Sequence, residues 1–212
     1  MSCRRPEALQ WLQREPGRWS GAGESRRIIR TNDQATTPEA DYGNRVLGQR
    51  WGVTEQEVVR AYPCDDLLSP PVLSVWRGVT VHAPAQEVWP WLCQLRLAPY
   101  SYDWLDNLGR RSPRELRGLP DPKPGERFSS VGGRFGVGRV LSVVHEEHLT
   151  ASIMGAVMSY VLIPQGDATR LVLKIVMRRD HWYASAAAVG DWPMARRQLK
   201  NLKARAESIR TG

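Results

Sequence analysis

The sequence predicts an α+β fold in which an antiparallel sheet packs against a long C-terminal helix. Several short segments between residues 73 and 177 alternate side chains at the two-residue period of a β-strand. An aromatic-rich stretch over residues 88–104 has helical spacing and separates the first of these strands from the others. Residues 191–212 repeat apolar side chains three and four positions apart, which is typical of an amphipathic helix.

The composition bounds the class of protein. The 212 residues suit one domain with an additional tail, and a hydrophobic content of 42% is enough to build a core. No apolar run reaches the ~20 residues that a membrane span needs, and residues 1–20 contain no apolar segment typical of a secretory signal. Cys3, Cys64 and Cys93 form no CxxC pair and indicate neither a disulfide framework nor a zinc site. We therefore expect a cytoplasmic protein that binds no metal or other cofactor.

The positive charge is unevenly distributed along the chain. Of the formal net charge of +8, residues 1–50 carry +3 and residues 191–212 carry +4, which leaves +1 for the middle. A basic surface attracts nucleic acid or anionic membrane, and a solvated face of the final helix explains the same pattern. We expect no specific nucleic-acid partner.

Residues 1–45 differ in composition from the rest of the chain. They are rich in Arg, Gly, Ser, Thr and Glu and poor in branched apolar residues, so they can bury little surface. We expect a flexible N-terminal extension over residues 1–45 and one folded domain over residues 46–212. The domain opens with a capping box, since Thr54 is followed three positions later by Glu57. A short helix is predicted there and ends before Pro63.

The first long strand is predicted over residues 73–81. Its valines share one face, and a single charged residue, Arg77, interrupts that face. Pro84 suits the first turn of a following helix, whose apolar residues recur at helical spacing. Pro90 lies inside this helix and should kink its axis, because proline removes one main-chain hydrogen bond. Pro99 is expected to end the helix.

A second short helix is predicted from Ser101, a suitable N-cap, to Gly109. Three of the nine tryptophans and two of the six tyrosines lie within residues 88–104. Because aromatic side chains bury large apolar areas, this cluster marks either the main core or the wall of an apolar pocket. The polar loop over residues 110–124 has the length of a lid or a binding loop.

The remaining strands and the final helix follow in order. Strands are predicted over residues 125–128, 138–145, 149–153, 159–163 and 171–177. The Gly-containing connection at residues 164–170 predicts a hairpin. In the final helix, Asp191 is the expected N-cap and Pro193 lies in the first turn. The apolar stripe of that helix consists of Ala195, Leu199, Leu202, Ala206 and Ile209.

Four segments carry a family resemblance: Arg77–Pro84, Glu87–Gln94, Tyr100–Asp106 and Met194–Leu199. Together they resemble the helix-grip fold of the START-like superfamily, also called SRPBCC or polyketide cyclase/dehydrase proteins, in an uncharacterised bacterial branch. The resemblance covers roughly residues 51–209. It implies a bent antiparallel sheet wrapped around a long C-terminal helix, two short helices, and an apolar cavity between sheet and helix. That superfamily includes ligand carriers, cyclases and chaperone activators, so the fold does not set the activity.

The resemblance implies that the protein binds a hydrophobic or amphipathic small molecule in this cavity. One alternative is a polyketide cyclase/dehydratase-like enzyme, which should place a Tyr, His, Asp or Arg inside otherwise apolar walls. Another is binding of nucleic acid or a protein partner through the basic face of the C-terminal helix. The candidate wall consists of aromatic and aliphatic side chains on the elements around the cavity: Trp91, Tyr100, Tyr102, Trp104, Met158, Tyr160, Leu173, Ile175, Leu199 and Leu202.

Two motifs invite a metal or a nucleotide interpretation and fit neither. His145 and His148 are three residues apart with strand-like flanks, whereas a zincin needs a spacing of four on a helix. On a strand these two side chains face opposite sides of the sheet. The alternative to a metal site is that one of the two histidines faces a pocket. The glycine-rich segment over residues 132–138 precedes a predicted strand, whereas a dinucleotide loop precedes a helix. It resembles the glycine-rich loop that some helix-grip proteins carry between two strands.

Polar residues near the aromatic stretch have two interpretations. Tyr100, Tyr102, Asp103 and Asp106 could support acid–base chemistry, and the helix dipole alone also favours an acid at the start of a helix. Cys93 has no His partner nearby in sequence and is expected to be a small core residue. The arginines of the polar loop either clamp an anionic ligand, which suits their planar fork, or are simply solvated. They are Arg110, Arg111, Arg114 and Arg117.

Overall fold

The computed structural model describes residues 48–68, 72–178 and 184–208, with the backbone alone for residue 106 and for residues 184–192. The predicted flexible extension over residues 1–45 therefore lies outside the described residues. Ile209, the last member of the predicted apolar stripe, lies outside them as well.

A seven-stranded sheet forms the body of the domain. Its strand order is β1-β2-β7-β6-β5-β4-β3, with β1 and β2 parallel and every other neighbouring pair antiparallel. From β3 to β7 each strand pairs with the next one in the chain, and the first long strand closes on the last. The strands are β1 (Arg50–Trp51), β2 (Val72–Val81), β3 (Arg127–Val131), β4 (Phe135–Val144), β5 (His148–Ile153), β6 (Ala156–Gln165) and β7 (Ala168–Arg178).

Four α-helices accompany the sheet within the described residues. They are α1 (Glu55–Val59), α2 (Ala85–Cys93), α3 (Asp103–Asp106) and α4 (Ala184–Ser208). The predicted capping box of α1 is confirmed, because Thr54 accepts from the Glu57 main-chain N–H and the Glu57 side chain accepts from the Thr54 main-chain N–H. With its long C-terminal helix packed on β2, β7 and α2, the chain has the predicted α+β helix-grip arrangement.

The main core lies between the sheet and α4. On β2, Val75 and Val81 are fully buried and Val79 nearly so, as the alternation predicted. On α4, Leu199 and Leu202 are fully buried. The charged residue on the inner face of β2, Arg77, is also buried and donates from Nη1 to the carbonyl oxygens of Gln49 and Trp76. A smaller apolar cluster covers the opposite face of the sheet around Trp76, Val172 and Val176.

A bulge bends the outer part of the sheet. The pairing of β4 with β5 shifts between Val140 and Ser142, and such a shift bends the strand and increases its twist. Just before it, Gly138 has a φ of 70°, and a Cβ there would lie 2.3 Å from the carbonyl oxygen of Ser152. Only glycine allows this approach. The predicted strand is present but begins at Phe135, three residues earlier than predicted, so the glycine-rich segment ends inside β4 and its first residues form the β3–β4 hairpin turn.

The start of the C-terminal helix was predicted wrongly. The helix begins at Ala184, not at an N-cap residue Asp191, and Pro193 lies inside it. The seven residues before Asp191 include four alanines, the residue with the highest helix propensity. That propensity outweighs the local capping signal. The stripe from Ala195 to Ala206 faces the core as predicted.

Other boundaries also differ from the prediction, including those of β3, which was predicted over residues 125–128. Helix α2 ends at Cys93 and continues as a 3₁₀ turn over Gln94–Arg96, so the helix stops before Pro99. Helix α3 is a single turn that ends at Asp106, before the predicted Gly109, and its N-cap is Tyr102 rather than Ser101. The left-handed backbone of Tyr100 turns the chain just before this cap. The β6–β7 connection is shorter than predicted, and both strands extend to a two-residue turn at Gly166.

Candidate functional site

Most of the predicted wall residues pack together in the main core. Eight of the ten belong to one apolar cluster and are at most 8% exposed: Trp91, Tyr100, Met158, Tyr160, Leu173, Ile175, Leu199 and Leu202. The other two, Tyr102 and Trp104, lie outside this cluster. The structure thus brings the predicted residues together in two neighbouring places, the interior and a surface groove.

Trp91 and Tyr100 form the aromatic centre of the interior set. Their ring centroids are 6.4 Å apart at an interplanar angle of 80°, an edge-to-face contact. Trp91 is 2% exposed, and its Nε1–H has no hydrogen-bond partner among the described residues. Buried polar groups in native proteins normally have a partner, so an unpaired donor is an unusual feature of a core.

Gln94 connects the aromatic stretch to the polar loop. Its Nε2 donates to the Tyr100 hydroxyl at 2.6 Å and to the Glu115 carbonyl at 3.0 Å, and its Oε1 accepts from the Arg117 main-chain N–H at 2.7 Å. Gln94 is 1% exposed. Burial raises the pKa of Tyr100, and the hydrogen bond from Gln94 only partly offsets this. Tyr100 is therefore a neutral phenol at physiological pH.

Two amides of α4 fix that helix to the aromatic stretch. Gln198 accepts from the Tyr160 hydroxyl at 2.6 Å and donates to the Pro99 carbonyl at 2.5 Å. Asn201 donates to the carbonyls of Tyr100 and Ser101 at 2.9 and 3.2 Å. The middle of α4 thus contacts the aromatic stretch through hydrogen bonds to its main chain and not through apolar packing alone.

A solvent-open groove of about 680 Å³ runs between this part of α4 and the α3 region. We call it the arginine groove. It contains both remaining wall residues, Tyr102 and Trp104, whose rings are 6.5 Å apart at 65°. Trp104 is 73% exposed. The groove is lined by Ser101, Tyr102, Asp103, Trp104, Arg111, Ser112, Arg114, Arg197, Asn201, Ala204, Arg205 and Ser208.

Four arginines line this groove. Arg111 and Arg114 come from the polar loop, and two of the four loop arginines predicted as an anion clamp thus line it. Arg197 and Arg205 come from α4, where their guanidinium carbons lie 6.0 Å from the Tyr102 ring centroid and 4.8 Å from the Tyr100 ring centroid. The sequence interpretation assigned both only to a basic helix face. Arg197 and Arg205 are eight residues apart, which is close to two helical turns and puts both on one side of α4. This spacing was the sequence signal that could have identified them as a pair.

The other polar candidates of this region have local partners. Arg110 donates from Nη1 to the Gly132 carbonyl at 3.5 Å and lies beside the hairpin turn, not in the groove. Asp103 accepts from the Ser112 hydroxyl at 2.5 Å and lines the groove. The proposed acid–base role of Tyr102 and the two aspartates stays a hypothesis, and the Asp106 side chain lies outside the described residues.

The two histidines lie apart from the arginine groove. His145 is exposed in the β4–β5 turn, with Nδ1 2.7 Å from Asp121 Oδ2, while His148 is half-buried with Nε2 3.0 Å from the Ser142 hydroxyl. Asp121 Oδ1 also accepts from Trp89 Nε1 at 2.7 Å. Within residues 48–68, 72–178 and 184–208, no three His, Cys, Asp or Glu side chains converge as a metal-ligand set.

Cys93 is a buried core residue, as predicted, with one polar neighbour. Its Sγ lies 3.6 Å from Asp121 Oδ1, and it is 3% exposed. Burial, together with the neighbouring Asp121 carboxylate, raises the pKa of the Cys93 thiol to about 12. The thiol is therefore protonated at neutral pH and is not a nucleophile, because only the thiolate reacts.

Much of the basic face of α4 has contacts inside the domain. Arg196 and Lys200 lie over the Trp51 ring, at 4.7 and 5.8 Å from its centroid. Lys203 donates to the Thr80 carbonyl at 2.6 Å and pairs with Glu207 at 3.4 Å. These cations partly serve to hold α4 against the first two strands. Among the described helices, none is long and apolar enough to cross a bilayer.

Comparison with known proteins finds similar folds only among solved structures. No family model and no curated protein matches the chain. An AHSA1-like protein from Rhizobium etli is 18% identical over 65% of this chain and 84% of that chain, with a TM-score of 0.39. A Mesorhizobium loti protein is 22% identical over 66% and 98%, with a TM-score of 0.43. DynU16, from the dynemicin biosynthetic locus, is 17% identical over 61% and 47%, with a TM-score of 0.39. At these values the likeness assigns neither a ligand nor an activity to this chain.

Proposed function

We propose that this protein binds a hydrophobic or amphipathic small molecule against α4, in the arginine groove between α4 and the α3 region. The observation that carries the proposal is the lining of the groove by the exposed Trp104 and by Tyr102 beside polar and charged groups. Small-molecule sites typically combine apolar walls with a few convergent polar groups.

The position of the groove relative to the core supports the same proposal. Arg205 of the groove lies over one ring, Tyr100, and that ring also contacts Trp91 in the interior. The groove and the aromatic core are therefore separated by a single side chain.

Titration with the neutral fluorophore N-phenyl-1-naphthylamine tests this proposal. We expect saturable binding, with energy transfer from the groove tryptophan. Replacing Trp104 by Ala removes part of the apolar wall. The loss of about 55 Å² of apolar contact in Trp104→Ala should weaken binding by about 1.4 kcal/mol, so the Kd for the fluorophore should rise about tenfold.

Met154→Ala is the matched control, because Met154 is 88% exposed and lines no part of the arginine groove. Its affinity for the fluorophore should equal that of the wild type. Absence of saturable binding, or equal affinities for Trp104→Ala and Met154→Ala, would contradict the proposal. Native mass spectrometry of freshly purified protein checks independently for a retained small molecule.

A further inference from the structure

The arginine groove holds more positive charge than its surroundings neutralise. Among the described residues, none of Arg111, Arg114, Arg197 and Arg205 forms an ion pair with a carboxylate. One acidic side chain, Asp103, lines the groove, and it already accepts a hydrogen bond from Ser112. The lining therefore carries a formal net charge of +3.

Two of these arginines are held in place by the protein itself. Arg205 is half-buried and donates from Nε to the Pro113 carbonyl at 3.3 Å and from Nη1 to the Asn201 carbonyl at 3.2 Å. Arg197 lies over the Tyr102 ring. Guanidinium groups held in this way lose less conformational entropy on binding than free surface arginines do.

The arginines are also close enough to affect one another. Burial lowers the pKa of Arg205, and Arg114 and Arg197 lower it further by repulsion, while Tyr100 and Asp103 act in the opposite direction. Unpaired like charges that converge on one groove destabilise the free protein, and a bound anion removes that repulsion.

We infer that the arginine groove binds the oxyanion, carboxylate or phosphate, of an amphipathic ligand, while Tyr102 and Trp104 contact the apolar part of the same molecule. This inference rests on the proposed function and adds the charge class of the ligand. Arginine suits the role because its planar fork forms two parallel hydrogen bonds with a carboxylate or phosphate.

A matched pair of fluorophores separates this inference from the proposed function. The compound 8-anilinonaphthalene-1-sulfonate differs from N-phenyl-1-naphthylamine by one sulfonate group. We expect the sulfonate to bind at least about tenfold more tightly, since charge-assisted hydrogen bonds are the strong ones. Its affinity should fall between about 50 mM and about 500 mM salt, whereas that of the neutral compound should not, because salt screens exposed charges.

Arg197→Gln and Arg111→Gln test the residues. Each should weaken binding of the sulfonate about fivefold to tenfold and leave the neutral compound unchanged. Lys200→Gln is the control, because it removes the same charge from the same helix at a residue that lies over Trp51 and outside the groove. It should leave both affinities within about twofold of the wild type.

Displacement of the bound sulfonate by dodecanol, dodecanoate and dodecyl phosphate distinguishes the head groups. The net charge of the groove predicts that the phosphate displaces best and the alcohol worst. Equal displacement by all three, or equal binding of the two fluorophores, would overturn the inference and leave the proposed function standing. Binding of neither fluorophore would refute the proposed function, and binding of the sulfonate alone would contradict the contact of Tyr102 and Trp104 with the apolar part of the ligand.

Discussion

Asn201 of α4 donates its side-chain amide to the main-chain carbonyl of Tyr100 at 2.9 Å and to that of Ser101 at 3.2 Å. Tyr100 has a φ of 59°, a left-handed conformation that costs a non-glycine residue ~1–2 kcal/mol. The hydrogen bonds stabilise the turn that places the Tyr100 ring against Trp91 and leaves Tyr102 in the arginine groove. The C-terminal helix therefore holds the strained part of the aromatic stretch in place.

Replacing Asn201 by Ala should destabilise the domain by about 1 kcal/mol, the net value of lost hydrogen bonds at a half-buried site. The higher helix propensity of alanine offsets part of the loss. Equilibrium urea denaturation measures the difference. Gln56→Ala, at an exposed position of α1, should change the free energy of unfolding by no more than about 0.5 kcal/mol. Equal effects of the two substitutions would show that the turn does not depend on Asn201.

Gln94→Met should lower the free energy of unfolding by about 3 kcal/mol and make the polar loop more accessible to protease. The substitution keeps the length of the side chain but leaves the Glu115 carbonyl and the Arg117 N–H without their buried partner, and unsatisfied buried groups cost ~1–3 kcal/mol each. Trypsin under native conditions should then cut at Arg117 faster than in the wild type. Gln56→Met, at an exposed position of α1, is the control. An unchanged cleavage rate would mean that other contacts hold the loop.

The regular elements were predictable because each depends on local periodicity. The valines of β2 alternate, and the stripe from Ala195 to Ala206 recurs at helical spacing, so burial of one face sets both elements. The start of α4 was not predictable in this way. Asp191 and Pro193 form a plausible helix start, and only the alanines before them favour continuation. Summed propensity outweighed a cap, and a capping pattern alone does not show this.

The arginine groove was only half predictable, because its lining comes from two distant parts of the chain. Tyr102, Trp104 and the loop arginines are contiguous enough in sequence to suggest a site. Arg197 and Arg205 join them only because Gln198 and Asn201 place α4 against the aromatic stretch. A single sequence shows that these arginines share a helix face but not which segment lies opposite to that face.

Leu202→Ala should cost ~2–5 kcal/mol, the usual range for a leucine removed from a packed core. Leu202 is fully buried in the main cluster and lines no part of the arginine groove. Stability should therefore fall while the affinity for 8-anilinonaphthalene-1-sulfonate, measured in the folded range, stays within about twofold. Val59→Ala is the exposed control, since Val59 is 81% exposed. A large change in affinity would place the ligand in the interior, beside Leu202.

The contact between Asp121 and His145 should make loop attachment depend on pH. The hydrogen bond to Asp121 raises the pKa of His145 above its ordinary value of 6.5. Burial alone would raise the pKa of Asp121, but the hydrogen bonds from Trp89 and His145 outweigh burial and hold it below its ordinary 3.8. Because folding raises the pKa of His145, this group stabilises the folded protein fully below about pH 6.5, and the stabilisation is lost as the pH rises through the raised pKa. Because folding lowers the pKa of Asp121, this group stabilises the folded protein fully above about pH 3.8, and the stabilisation is lost as the pH falls through the lowered pKa.

Between these limits both groups are charged, so the contact should be strongest in mildly acidic solution. Removing it with His145→Gln should therefore destabilise the domain more at about pH 5 than at about pH 8.5. His148→Gln supplies a control of opposite sign, because burial lowers the pKa of His148 and protonation at low pH opposes folding. Its substitution should become relatively favourable at about pH 5. Urea denaturation of both variants at both pH values measures the two differences. The same sign for both histidines would rule out the Asp121 contact as the origin of the pH dependence.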